Sequence, residues 1–126
     1  MDFLKKLDAH WQKKPAERPG RRGQKFEHVK TRVRAWGLCE YGGLQAVYRI
    51  PVELGGSTEE ENILFLPGYA ADQLIPLQEK LVQLHQMGEL TGFSVEPEYR
   101  EESLVPISVR VTAQGSKPFD QEVVVW

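Results

Sequence analysis

The sequence predicts an α+β domain: an antiparallel sheet, one main helix, and a further helix at the N-terminus. Three observations carry this. Apolar residues recur with period two in the last third of the chain, Leu74, Leu77, Leu81 and Leu84 recur with helical period before it, and Gly and Pro punctuate the runs between. With 126 residues, 40% hydrophobic and 27% charged, the chain is long enough to bury one core and short for two.

In order along the chain, Phe3, Leu4, Leu7 and Trp11 fall at helical spacing, with Lys5, Lys6 and Lys13 elsewhere on the wheel, which predicts a short amphipathic helix over residues 2–13. Residues 14–25 are rich in Pro, Gly and cations and have no hydrophobic period, the composition of an arm. The chain therefore divides into an N-terminal helix and basic arm, 1–25, and a single α+β domain, 26–126.

Next, Val29, Thr31, Val33 and Ala35 alternate with Lys30, Arg32 and Arg34, which predicts a first strand with a cationic face. Gly42-Gly43 reads as a turn into a second strand at 44–50, paired with the first. A loop at 51–61 and a short apolar run at 62–66 follow, stopped by Pro67-Gly68. The leucine stripe then predicts a helix beginning near Pro76, because proline lacks an N–H and disfavours helical geometry in the residue before it. After Gly88 and Gly92, strands are expected at 93–98, 105–112 and 119–125, with Val105, Ile107, Val109 and Val111 on one face.

Charge is unevenly spread. Residues 1–37 hold eleven Lys and Arg against four Asp and Glu, whereas residues 38–126 hold five against fourteen. Such asymmetry suits either phosphate contacts by a basic arm or attraction between two parts of one fold. Arg18, Arg21, Arg22, Lys25, Lys30, Arg32 and Arg34 are the candidate residues for nucleic-acid or partner binding; against nucleic acid stand the pI near 5.9 and the few aromatics interleaved with these cations. No run approaches the roughly 18 apolar residues that cross a bilayer, and no signal-peptide core is present, so no membrane contact and a cytoplasmic location are expected. The single Cys39 has no partner for an internal disulfide or a zinc knuckle. His10, His28 and His85 lie in separate elements and take no role.

Residues 47–67 read VYRIPVELGGSTEEENILFLP. The Gly55-Gly56 pair and the Glu61-Asn62-Ile63 triplet at this spacing resemble the metal-site hairpin of the ββα-metal nucleases, and most of all the non-specific DNA/RNA endonuclease domains of bacterial polymorphic toxins. The similarity continues through Val95-Glu96-Pro97-Glu98-Tyr99 and Val105-Pro106-Ile107-Ser108-Val109, and covers about residues 43–126. It implies a hairpin-and-helix fold and, for active members, phosphodiester hydrolysis in which a His activates water and a divalent ion, commonly Mg²⁺, stabilises the developing charge.

The chain departs from that pattern at the chemistry. The family's Gly-His pair falls on Val47 and Tyr48, and a phenol with a pKa of about 10 is a poor general base at neutral pH. The family's metal-binding Asn, at the start of the following helix, falls in a segment offering Asp72 and no Asn. Tyr48, Arg49 and Asp72 are thus residues of a vacated site, while Gly55, Gly56 and Asn62 are the motif loop. A plain turn for the glycines, a loop-holding role for Asn62 and a cap for Asp72 are the competing structural readings.

The expectation is a catalytically degenerate nuclease-like domain serving as a protein-binding or regulatory module, in the setting of a bacterial toxin/immunity system. It requires no cofactor, and its partner is another protein or a second copy. The alternatives are a metal-dependent endonuclease with a non-standard site using Tyr48, Arg49, Asp72 and Glu53, for which Mg²⁺ would be needed, and a nucleic-acid binder that does not cleave.

Overall fold

The computed structural model describes residues 25–126. The N-terminal helix expected at 2–13, the arm expected at 14–25 save its last residue, Lys25, and Arg18, Arg21 and Arg22 lie outside the described residues.

The fold is α+β, as the apolar periods predict. Its elements run α1 (Arg32–Glu40), β1 (Gln45–Tyr48), β2 (Ile63–Leu66), α2 (Gly68–Gln86), β3 (Leu90–Glu98), β4 (Ser108–Gly115) and β5 (Phe119–Val124). β1 and β2 form an antiparallel pair in which Gln45 faces Leu66 and Tyr48 faces Ile63. β3, β4 and β5 form a separate antiparallel meander, with Val95 opposite Val111 and Val109 opposite Val123. Helix α2 touches β1 and all three strands of the meander, so it ties the two sheets together. Its buried Ala70, Ala71, Leu74, Leu81 and Leu84 share one core with Leu64, Leu66, Val95, Val109 and Val111, which are inaccessible or nearly so.

Two expectations are corrected. The segment from Val29 to Ala35 is not a strand. Thr31 takes an extended conformation and its side chain accepts a hydrogen bond from the Arg34 N–H at 3.2 Å, capping α1. Ala35 and Cys39, four apart, turn inward, while Val33, which a strand would have buried with Val29, is 84% exposed. Lys30, Arg32 and Arg34 therefore do not form one face of a sheet, and β1 pairs with β2 instead.

Helix α2 does not start near Pro76 either: it starts at Gly68, directly after Pro67, and carries Pro76 inside. Ala70, Ala71 and Leu74 extend the buried stripe upstream, and their burial outweighs the cost of an internal proline. The carbonyl that loses its donor is that of Asp72, four residues earlier, and both Asp72 and Pro76 are exposed, so water can satisfy it.

The chain's two ends of described structure close on the loop between β3 and β4. The Ser103 hydroxyl donates to the Phe26 carbonyl at 2.7 Å, the Leu104 N–H donates to Val29 at 2.8 Å, and the Trp126 indole N–H donates to Val105 at 2.9 Å while its ring meets Phe26 edge-on. The turn that begins this loop is conformationally costly. Glu101 and Glu102 have φ of 57° and 61°, with the Ser103 N–H donating to Arg100 across them at 3.0 Å. Asn and Gly adopt this geometry at lower cost than glutamate does. Replacing Glu101→Asn together with Glu102→Gly is expected to raise the unfolding free energy by about 1–2 kcal/mol in urea titration. An unchanged midpoint would mean that the turn is not held this way in solution.

Candidate functional site

The segment joining β1 to β2 is the part of the fold that carries the motif residues. Val52–Leu54 and Glu60–Asn62 form single 3-10 turns within it. Asn62 closes it: 6% exposed, its side chain accepts from the Ile50 N–H at 3.0 Å and donates to the carbonyls of Ile50 at 2.9 Å and Ser57 at 2.8 Å. The two glycines serve this closure in different ways. Gly55 has φ of 95° and ends the first 3-10 turn, whereas Gly56 lies so near Ile50 that a Cβ there would stand 1.8 Å from its carbonyl oxygen. The motif is thus a built loop in which the Asn62 side chain is consumed in holding it.

The end of β1 is fixed in the same manner. Gln78, buried in mid-helix, donates to the carbonyls of Tyr48 at 2.7 Å and Arg49 at 2.9 Å, and the Arg49 N–H donates to Asn62 at 2.7 Å. The Arg49 guanidinium reaches the Val95 carbonyl in β3 at 2.7 Å, joining the two sheets. It also lies near enough to Tyr99 to favour the phenolate, yet the partial burial of Tyr99 prevails and holds that phenol above its ordinary pKa.

A groove of about 960 Å³ opens between β1 with its following turn and one side of α2. Val47, Tyr48 and Val52 line it on one side, Ile75 and Val82 on the other, with Glu53 and Glu79 among its polar residues. The structure brings Tyr48 and Glu53 to this groove. It does not bring Asp72, which is exposed on the first half of α2 and outside the groove lining.

Of the candidate cations, Lys25, Lys30, Arg32 and Arg34 are exposed, and Arg32 pairs with Glu60 at 3.3 Å. Sequence reasoning missed Gln78, which ties β1 to α2, and the groove. A glutamine in the middle of an otherwise apolar helix stripe is the signal that could have marked it.

No family model, curated protein or solved structure matches the chain. The divalent ion that the nuclease resemblance implies does not fit the residues at the end of β1. Hard cations take carboxylates and carbonyls, and this position presents a phenol and a guanidinium already committed to Val95. Asn62 is likewise spent on Ile50 and Ser57.

Proposed function

We propose that the chain is a nuclease-like scaffold that acts as a protein-binding or regulatory module and does not hydrolyse phosphodiesters. The observation that carries this reading is the hairpin-and-helix arrangement β1–loop–β2–α2, in which the position of the family's His holds Tyr48 and the neighbouring Arg49 is used to join two sheets. Polar side chains around the end of β1 are turned inward: Asn62 onto the loop, Gln78 onto β1, Arg49 onto β3. The surface beside them is a groove with an apolar floor, which favours a protein segment over a phosphate backbone. A bacterial toxin/immunity setting follows from the resemblance alone, since fold does not dictate function.

The test is a nuclease assay with single- and double-stranded DNA and RNA in Mg²⁺ or Mn²⁺, run beside a variant carrying Val47→Gly and Tyr48→His. The unmodified protein is expected to leave every substrate intact. Cleavage that EDTA abolishes would replace this reading with that of a metal-dependent endonuclease. Binding without cleavage that weakens steeply with salt and disappears in R21E/R22E would replace it with that of a nucleic-acid binder.

A further inference from the structure

The outer face of α1 is made of residues that a lone helix disfavours. At about 100° per residue, Gly37 stands opposite the midpoint of Ala35 and Cys39, the two residues that α1 buries, and so marks the centre of the outward face. Glycine weakens a helix interior, and nothing lies within 4 Å of a Cβ built at Gly37, so the described fold does not require it there. Val33 and Tyr41, before and after it, are each 84% exposed. Charge also runs against the helix dipole: the first turn carries Arg32 and Arg34 and no acid, and the last turn carries Glu40 and no base. Arg32 is taken up by Glu60, whereas Arg34 enters no ion pair among the described residues.

These features are symmetric about Gly37. Val33 and Tyr41 lie four residues to either side of it, and Arg34 and Glu40 three. A two-fold axis perpendicular to α1 at the level of Gly37 sets Val33 level with Tyr41 of a second copy and Arg34 level with its Glu40, each contact occurring twice. On the helix wheel Val33 and Tyr41 fall about 40° from the centre of the face, and Arg34 and Glu40 about 60° from it on the rims. With two antiparallel helices about 8 Å apart, the Cβ atoms of Arg34 and the second copy's Glu40 stand roughly 7–8 Å from each other, within reach of a guanidinium–carboxylate pair. Glycine at the crossing permits that close approach. The antiparallel arrangement also brings Arg34 to the C-terminal end of the facing helix and Glu40 to its N-terminal end, where each charge suits the dipole.

We propose that the protein self-associates as a two-fold pair through α1, antiparallel and centred on Gly37, with Val33 packed on Tyr41 of the second copy and Arg34 paired with its Glu40. Two short helices bury less than about 1,200 Å² between them, so the dimer is weak and reversible. Helix α1 does not line the groove beside β1, and its pairing is independent of catalysis, so the nuclease assay does not decide it.

The experiment is sedimentation equilibrium on the full chain over roughly 5–500 µM, the range in which so small an interface forms and dissociates. The mass is expected to rise from 14.4 kDa toward twice that value. Gly37→Leu fills the crossing point and is expected to weaken the dimer at least about tenfold, while melting no earlier than the parent because the site is open and leucine is the better helix former. Arg34→Glu, which completes a capping box with Thr31, and Glu40→Arg each set like charges together and are expected to weaken the dimer about tenfold. R34E/E40R restores both pairs with their signs exchanged and is expected to return to within about threefold of the parent. A monomer across the whole range, a dimer indifferent to Gly37→Leu, or a double exchange no tighter than the single ones would overturn the proposal. Should a charge variant fold poorly, amide NMR of the parent on dilution decides: Val33, Arg34, Gly37 and Tyr41 must shift while β3–β5 stay unchanged. Shifts elsewhere, or none, would overturn it.

Discussion

Gly56→Ala is expected to cost about 3 kcal/mol or more of stability and to lower the thermal midpoint by roughly 12–20 °C. The added Cβ would lie 1.8 Å from the Ile50 carbonyl oxygen, 2.7 Å from its carbon and 2.9 Å from the Asn62 side-chain nitrogen. Two of these are backbone atoms, which cannot rotate away as the end of a side chain does. The loop must open, and the bond from Asn62 to the Ile50 carbonyl opens with it. Gly55 provides the control in the adjacent position. Its φ of 95° disfavours alanine, but nothing lies within 4 Å of a Cβ there, so Gly55→Ala should cost only about 1–2 kcal/mol. Circular dichroism melts of the two variants check the contrast. If Gly55→Ala proves the more harmful, the loop is held by conformation and not by the close approach at Ile50.

The elements that the sequence made legible are those in which one face alone is buried. In β4, Val109 and Val111 are buried and Arg110 is exposed, and the Leu74, Leu81 and Leu84 stripe lies on the core side of α2 as its spacing predicts. Where apolar residues were few, the period misled. Val29 and Ala35 are both fully buried, but one lies before the Thr31 cap and the other inside α1, so their apparent alternation spans two conformations. The exposed Val33 between them is the residue that the strand pattern could not accommodate. Pro76 misled in another way, because its local cost is real but outweighed by the burial of Ala70, Ala71 and Leu74, which only the tertiary structure reveals.

The candidate site divides along the same line. Gly55, Gly56 and Asn62 were singled out from sequence, and their roles turn out to be local: Asn62 reaches Ser57 and Ile50, five and twelve residues away. Arg49 and Gln78 act across 46 and 30 residues, on Val95 and Tyr48; the place of Gln78 within an apolar stripe marks it as buried, but no pattern in the chain announces its partner or that of Arg49. The grouping of Tyr48, Arg49, Asp72 and Glu53 as one site fails for this reason. Arg49 belongs to the join between the sheets, Asp72 lies outside the groove, and only Tyr48 and Glu53 share it.

Asn62→Ala should destabilise the protein by about 2–4 kcal/mol, because it removes an acceptor and two donations at once and strands the Ile50 N–H and carbonyl in a half-buried loop. N62D separates this role from any chemical one. A carboxylate keeps the acceptor for the Ile50 N–H but turns negative charge toward the Ile50 and Ser57 carbonyls, so it too must destabilise at neutral pH. Its folded-state pKa would be raised, since only the protonated acid can donate to those carbonyls. The sign is then fixed: stability is recovered as pH falls below the folded value and lost as pH rises through it. Urea titrations of N62D across pH 4–8 read this directly, and wild-type stability at neutral pH would refute the loop-holding role. Gly56 and Asn62 meet the same Ile50 carbonyl, so their costs should not add. Once Gly56→Ala has pushed that carbonyl away, Asn62 has one partner fewer to lose, and the double variant should fall short of the sum by about 1 kcal/mol or more. Simple additivity would mean that the glycine and the asparagine hold the loop independently.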